Sequence, residues 1–196
     1  MKRSAMIILF LAVVLAAAGC LFEPREALPP LDEGEGDWIV PNTPKDVFFN
    51  LSTGLSSMGN SNYERSLADE FTFIPRDQDR LQFPAGTFDN WAKEIEMDVL
   101  TRIKGDYQGE RTAQYGDEDG NFPKEDIQVG WAEFEGPYMW TIDRGDGSEP
   151  EIYAGTARFF LQEGTSGWIL VKWEDIDVIE SYPTSGNLRG SFRAAS

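Results

Sequence analysis

The sequence predicts an α+β fold with helices first and long antiparallel strands after them. Apolar residues recur at helical spacing between Thr43 and Gly105, whereas from Ile127 to Val178 they recur every second residue. The two periods belong to different elements, because side chains at i and i+4 share a helix face and those at i and i+2 share a strand face. Six Trp, six Tyr and 13 Phe supply the large buried area that a single core of this size needs.

Thr43-Pro44-Lys45-Asp46 opens the first helix. Thr43 suits the cap, Pro44 the first helical position, and Asp46 completes a capping-box pattern. Val47, Leu51, Leu55 and Met58 then form one apolar stripe, which Gly59-Asn60 stops. Ser61 and Glu64 predict a second, short helix carrying Tyr63 and Leu67. Phe71-Thr72-Phe73-Ile74 alternates as a strand does, and Pro75 closes it. A polar loop follows to Gly86. Thr87 or Asp89 is expected to cap a third helix whose stripe is Trp91, Ile95, Val99 and Ile103, with Arg102 and Lys104 in its last turn and Gly105 as its stop. Glu94 and Glu96 are expected on its wet face. Asp106 to Asp126 reads as a loop. Ile127, Val129 and Trp131 begin a strand, Gly136-Pro137 interrupts, and Tyr138, Trp140 and Ile142 resume the alternation. The acidic turn Asp143–Pro150 leads to a strand from Tyr153 to Leu161 and, after Glu163–Gly167, a last strand from Trp168 to Val178. The Ser/Gly/Arg-rich tail from Pro183 is expected to fray.

The start of the chain has its own chemistry. Lys2-Arg3 precedes an uncharged apolar run from Met6 to Ala18, which is too short and too Ala-rich for a good membrane span and ends in small residues, as a cleavable secretory signal does. Leu15-Ala16-Ala17-Ala18-Gly19-Cys20 resembles the lipobox of bacterial lipoproteins. The resemblance implies cleavage before Cys20, diacylglycerol and palmitate-type acylation there, and an extracytoplasmic protein anchored to a membrane by its N-terminal lipid. Leu21 after the Cys implies the outer membrane if the host has one. The expected organisation is a signal peptide at 1–19, an acidic Pro/Gly-containing tether at 20–41, a folded domain at 42–180 and a tail at 181–196. A flexible tether of that length has a root-mean-square span of roughly 25 Å. Trp38, Ile39 and Val40 are expected where it docks.

The 196 residues carry Lys+Arg 17 and Asp+Glu 34, a formal charge of −17. Losing Lys2 and Arg3 with residues 1–19 would take that to −19. Such a charge opposes binding to nucleic acid or an anionic bilayer through the domain itself. With a single cysteine no disulfide forms within the chain. The absence of histidine excludes His-based triads and His-ligated zinc or copper. Asp117-Glu118-Asp119-Gly120-Asn121 and Asp143-Arg144-Gly145-Asp146-Gly147 lack the full calcium-loop pattern with a distal Glu and read as solvated turns. Neither a metal nor a cofactor is expected.

Tyr63-x3-Leu67-Ala68-Asp69-Glu70-Phe71-Thr72-Phe73, Tyr153-Ala154-Gly155-Thr156-Ala157 and Gly167-Trp168-Ile169-Leu170-Val171-Lys172-Trp173, together with the element order, resemble the nuclear-transport-factor-2-like (cystatin-like α+β) superfamily over about residues 42–180. The resemblance implies N-terminal helices packed on a strongly curved antiparallel sheet, a cone with an apolar interior. Phe71, Phe73, Trp91, Trp131, Trp140, Tyr153, Phe160 and Trp173 then become candidates for a pocket wall or an interface. Enzymes of that superfamily use an Asp or Asp–His base with Tyr or Asp donors. In this chain Asp69, Asp98 and Tyr63 are the catalytic candidates. A carboxylate base there would need burial or a charged neighbour to raise its pKa.

The function expected from these residues is a non-catalytic binding or assembly module of the cell envelope, presented on a lipid anchor. The alternative is a small-molecule isomerase or lyase with a carboxylate in the cone. An enzyme needs a carboxylate facing an open, partly polar pocket; a module would have the cone filled by its own aromatic residues. Both faces of the final hairpin look partly apolar, with Ile169, Val171 and Trp173 sharing the second face. That predicts a homodimer or an envelope-protein partner on the sheet face.

Overall fold

The computed structural model describes residues 38–194. Cys20, the signal segment and the tether up to residue 37 lie outside the described residues. The elements follow one another as α1 (Pro44–Ser56), α2 (Ser61–Arg65), β1 (Leu67–Ile74), α3 (Asp77–Arg80), α4 (Lys93–Asp106), β2 (Arg111–Tyr115), β3 (Lys124–Gln128), β4 (Trp131–Ile142), β5 (Glu151–Gly164), β6 (Gly167–Val178) and α5 (Ser185–Ala194). The six strands form a curved, unclosed sheet in the order β1-β6-β5-β4-β2, with β3 also paired to β4. Every pairing is antiparallel except β1 with β6, which is parallel. The expected α+β fold with helices on a curved antiparallel sheet is therefore present, with this one parallel pair added at the edge.

The first helix begins as its sequence dictates: the Thr43 amide donates to Asp46 Oδ2 at 2.8 Å, closing the capping box. Val47, Leu51 and Leu55 are fully buried, whereas Met58, beyond the helix end, is exposed. Asn50, also fully buried, holds the entering segment. Its side chain accepts from the Ile39 amide at 3.0 Å and donates to the Ile39 carbonyl at 2.8 Å. Arg65 stacks on the Trp38 ring at 4.1 Å. The docking expected at Trp38–Val40 is therefore made by one amide side chain and one cation–π contact.

The third predicted helix starts later than its Thr87 or Asp89 signal. Ala92 caps it and Trp91 precedes it, yet Trp91 is buried. The expected loop 106–126 contains β2 and the start of β3. The alternation from Ile127 is broken by a turn at Val129-Gly130, so Ile127 and Val129 are exposed. Gly136-Pro137 does not interrupt β4. It falls where β4 leaves β3 and takes up β2, a stretch in which the proline lacks no needed donor because its carbonyl is the paired group, accepting from the Gly116 amide at 2.8 Å.

The inner face of the sheet carries the core: Phe134, Tyr138, Trp140, Phe159, Leu161, Trp168, Leu170 and Trp173. Val171 is a bulge, since Leu161 pairs with Leu170 while Phe160 pairs with Lys172. One inserted residue switches the parity of the strand. Trp168, Leu170 and Trp173 all point inward, and Trp173 is fully buried. The expectation that Trp173 lies on an exposed second face is wrong for that reason. The outer face is charged instead. Arg158 bonds Glu133 at 3.2 Å and Glu135 at 2.9 Å, Lys124 bonds the same two acids at 2.9 and 3.5 Å, and Lys172 bonds Glu174 at 3.4 Å. Half-buried Trp131, Phe160, Ile169 and Val171 lie among these ions.

The expected frayed tail is helix α5, with Leu188 and Arg189 buried, so the folded region continues past residue 180 to the end of the described residues.

Candidate functional site

The sequence-derived catalytic candidates do not converge. The Asp69 side chain is fully exposed and pairs with Lys93 at 3.3 Å, at the edge of a groove of about 460 Å³ along β1. Asp98, about half exposed, pairs with Arg102 one helical turn on, at 2.9 Å. Tyr63 is fully buried. Of the aromatic candidates, Phe71, Phe73, Trp91, Trp140 and Trp173 are buried and belong to the core. Trp131, Tyr153 and Phe160 are half-buried. Phe160 carries the Lys172 ammonium over its ring at 3.8 Å, and the Tyr153 hydroxyl donates to Glu151 Oε2 at 2.7 Å.

The interior of the cone is built around Trp173 and Arg189. The Trp173 ring meets Phe73, Tyr115, Tyr138, Trp140 and Phe159 edge-on, at centroid separations from 4.9 to 6.4 Å. Into this cluster α5 inserts Arg189, which is fully buried. Its guanidinium lies 4.3 Å from the Phe73 ring, 4.4 Å from Trp173 and 4.9 Å from Trp140. These are cation–π distances in a desolvated setting, where the attraction is at its strongest.

Glu96 completes the arrangement. It is 2 % exposed and accepts from Arg189 Nη2 at 2.7 Å and from Arg189 Nε at 2.9 Å. It also accepts from the Tyr63 hydroxyl and from Trp91 Nε1, each at 2.9 Å. A buried ion pair survives only when its remaining lone pairs and protons are satisfied, and here the carboxylate is. Burial is the largest influence on Arg189 and works against its proton, but the Glu96 charge and hydrogen bond, together with Tyr63 and Asp175, more than offset it and the pKa is raised. Burial, and then the Glu96 charge, push the Tyr63 phenol well above its ordinary range. Tyr63 is thus a proton donor fixed in a hydrogen bond. The expectation that Glu96 lies on a wet face is overturned.

Further polar contacts seat α5. Asp175 accepts from the Ser185 hydroxyl and the Gly186 amide, both at 3.0 Å, and from Trp173 Nε1 at 2.7 Å. Its carboxylate thus meets the free amides at the start of the helix. The Ser185 amide donates to the Tyr138 hydroxyl at 2.9 Å. The Thr184 hydroxyl donates to buried Asp79 at 2.7 Å, and Arg76 holds Asp79 through two bonds at 2.7 and 3.0 Å. Burial raises the Asp175 pKa, against the lowering pull of Arg189 and the hydrogen bonds.

One signal in the sequence does point to Glu96. It precedes Val99, Leu100 and Ile103 by three, four and seven residues, which places it on their face of the helix. No comparable signal marks Arg189, because the apolar stripe of Ser185–Ala194 is only Leu188 and Phe192 and Arg189 stands beside it.

No family model matches the chain, and no curated protein matches it. Solved structures do. A nuclear transport factor 2 superfamily protein from Salmonella enterica serovar Typhimurium aligns with a TM-score of 0.51 at 13 % identity, over 70 % of this chain and 89 % of that one. A protein from Novosphingobium aromaticivorans, provisionally named an aromatic ring hydroxylase, aligns with a TM-score of 0.56 at 11 % identity, over 74 % and 92 %. A conserved protein from Planctomyces limnophilus aligns with a TM-score of 0.51 at 14 % identity, over 67 % and 91 %. Likeness at these identities speaks to architecture and leaves the chemistry to the site. The chain has the nuclear-transport-factor-2-like fold, with its cone filled by an arginine that aromatic rings and a carboxylate hold.

Proposed function

We propose that this chain is a non-catalytic binding or assembly module of the cell envelope, held at a membrane by lipid on Cys20. The observation that supports the non-catalytic reading is the filling of the cone. Where a carboxylate base would need an open pocket, Trp173 and its ring neighbours pack with Arg189, and the buried carboxylate, Glu96, is committed to Arg189, Trp91 and Tyr63. Asp69 and Asp98 are exposed and held in ion pairs with Lys93 and Arg102, outside the cone.

The anchor reading rests on the run from Met6 to Cys20. Among the described residues no helix is long and apolar enough to cross a membrane. Membrane residence would then come from the lipid, each buried methylene contributing roughly 0.8 kcal/mol. The partner surface we propose is the outer sheet face, where Trp131, Phe160, Ile169 and Val171 sit within the ion-pair lattice. That surface suits a second copy or an envelope protein.

The test is direct. Intact mass should show acylation at Cys20 and loss of residues 1–19, and Cys20→Ser should move the protein out of the membrane fraction or leave it uncleaved. An unmodified Cys20 in membrane-associated protein would refute the anchor. Pull-down from detergent-solubilised envelope should return a partner that is lost on Phe160→Glu. Turnover of a small-molecule substrate by the purified chain would refute the non-catalytic reading.

A further inference from the structure

The arginine in the cone is held by a receptor to which its own helix contributes nothing. Phe73 comes from β1, Trp140 from β4, Trp173 from β6, Glu96 from α4 and Tyr63 from α2. Three aromatic faces and a carboxylate engaged from Nε and Nη2 make a cage for a planar, forked cation rather than for a compact ammonium. The cage does not satisfy the resident guanidinium fully: Arg189 Nη1 is buried and has no hydrogen-bond partner. A buried donor left unmatched weakens the hold of the group that carries it.

The helix that brings the arginine is also poorly committed to being a helix. Ser185–Ala194 contains two Gly, two Ser and an Asn, residues of low helix propensity, and Leu188 is its one fully buried apolar side chain. Beside Leu188, and Phe192 against the Tyr107 ring, its seat is made of polar contacts to Asp79, Asp175 and Tyr138. The connection from β6 passes through Glu180 at φ +55°, a left-handed conformation that a Glu adopts only under constraint. A segment of low helix propensity, seated largely by polar contacts and entered through a strained hinge, belongs to the part of a fold that opens before the rest.

We propose that the cage is a binding site for a single alkylguanidinium group, the arginine side chain of a basic partner, and that α5 is its built-in occupant, displaced when that partner binds. This deepens the module reading above and rests on it. The formal charge of −17 draws such a partner to the domain. A partner must compete with an arginine already in place, so the affinity of the intact chain is reduced by the fraction of molecules in which α5 is open.

The experiment uses the full chain, wild type and Arg189→Ala, titrated with agmatine and, as the ammonium counterpart, with 1,4-diaminobutane. Arg189→Ala should bind agmatine saturably, with a change in tryptophan fluorescence. It should do so at least about tenfold more tightly than wild type, since no resident arginine competes, and more tightly than it binds 1,4-diaminobutane. In wild type, agmatine should speed deuterium exchange at residues 185–194 and leave β4 to β6 unchanged. Equal response to the two amines by folded Arg189→Ala overturns the proposal, as does a terminal helix that exchanges only together with the sheet. If Arg189→Ala fails to fold alone, refolding in agmatine decides: recovery supports the cage, and no recovery overturns it. A concentration-dependent dimer that Arg189→Ala abolishes would put the helix of a second copy in the cage and overturn the arginine-bearing partner. Neither result moves the Cys20 mass or the outer-face pull-down, so failure here and failure of the module reading are distinguishable.

Discussion

Replacing Glu96 by Ala removes the carboxylate that pairs directly with Arg189 in the interior. Breaking a buried pair by deleting one partner costs about 3–5 kcal/mol, because the other charge stays buried and unpaired. The Trp91 indole N–H, now without its acceptor, adds about 1–3 kcal/mol. The total is capped by an escape route, since α5 can undock and carry Arg189 into water. The expected loss is therefore about 3–5 kcal/mol, a large share of an ordinary stability of about 5–15 kcal/mol. At about 2–4 °C per kcal/mol for a domain of this size, the midpoint should fall by roughly 6–20 °C. Urea titration read by tryptophan fluorescence measures it. Glu96→Leu combined with Arg189→Met should recover most of the loss, because an apolar pair of similar volume leaves no charge behind. A single-mutant loss under about 1 kcal/mol would refute the reasoning, since Arg189 would then not depend on Glu96 inside the fold.

Other outcomes follow from the same contacts. Trp91→Ala should cost about 3–5 kcal/mol in denaturant titration, as large aromatic deletions in cores do. Gly54→Ala should cost about 1–3 kcal/mol by thermal melting, because a Cβ there would meet the Tyr63 backbone nitrogen at 2.5 Å. Asp69→Asn and Asp98→Asn should each change stability by no more than about 0.5 kcal/mol, the two carboxylates being exposed. The raised Asp175 pKa sets a sign for pH. The folded state holds that proton at a pH where the unfolded chain, near 3.8, has lost it, so the Asp175 contribution falls as pH rises through the window above 3.8. Wild type should therefore gain on Asp175→Asn between neutral pH and pH 4 in urea titrations, and a pH-independent gap would contradict the assignment.

The sequence reveals most of this fold where the structure is held by apolar periodicity, and little where it is held by polar contacts. Val47, Leu51 and Leu55 announce α1 because burial of a stripe is what makes that helix. The alternation of β5 announces itself for the same reason. Arg111-Thr112-Ala113-Gln114-Tyr115 gives no strand signal, because this edge strand is anchored by a buried arginine. Arg111 Nε donates to the Leu55 carbonyl at 3.2 Å, and Arg111 Nη2 to the Ser57 carbonyl at 3.3 Å, capping the end of α1. The bulge at Val171 inverts the apparent faces of β6, and nothing local in the sequence marks it. Helix α5 is silent for the strongest reason: much of its docking comes from Asp79 and Glu96, far away in sequence. Half of the candidate site, the aromatic residues Phe73, Trp140 and Trp173, was legible. Of the two charges that define it, Glu96 is marked only by its spacing to Val99, Leu100 and Ile103, and Arg189 is not marked.

The measurement closest to the central claim is the nuclear magnetic resonance of the Arg189 side chain in the intact protein labelled with nitrogen-15. A guanidinium enclosed by Phe73, Trp140 and Trp173 and bonded to Glu96 should give an Nε–H signal that exchanges slowly with water, is displaced by ring currents, and shows cross-relaxation to the Trp140 and Trp173 rings. That signal should be absent in Arg189→Lys. An Nε–H that exchanges as fast as those of surface arginines, without contact to either indole, would contradict the closed cone.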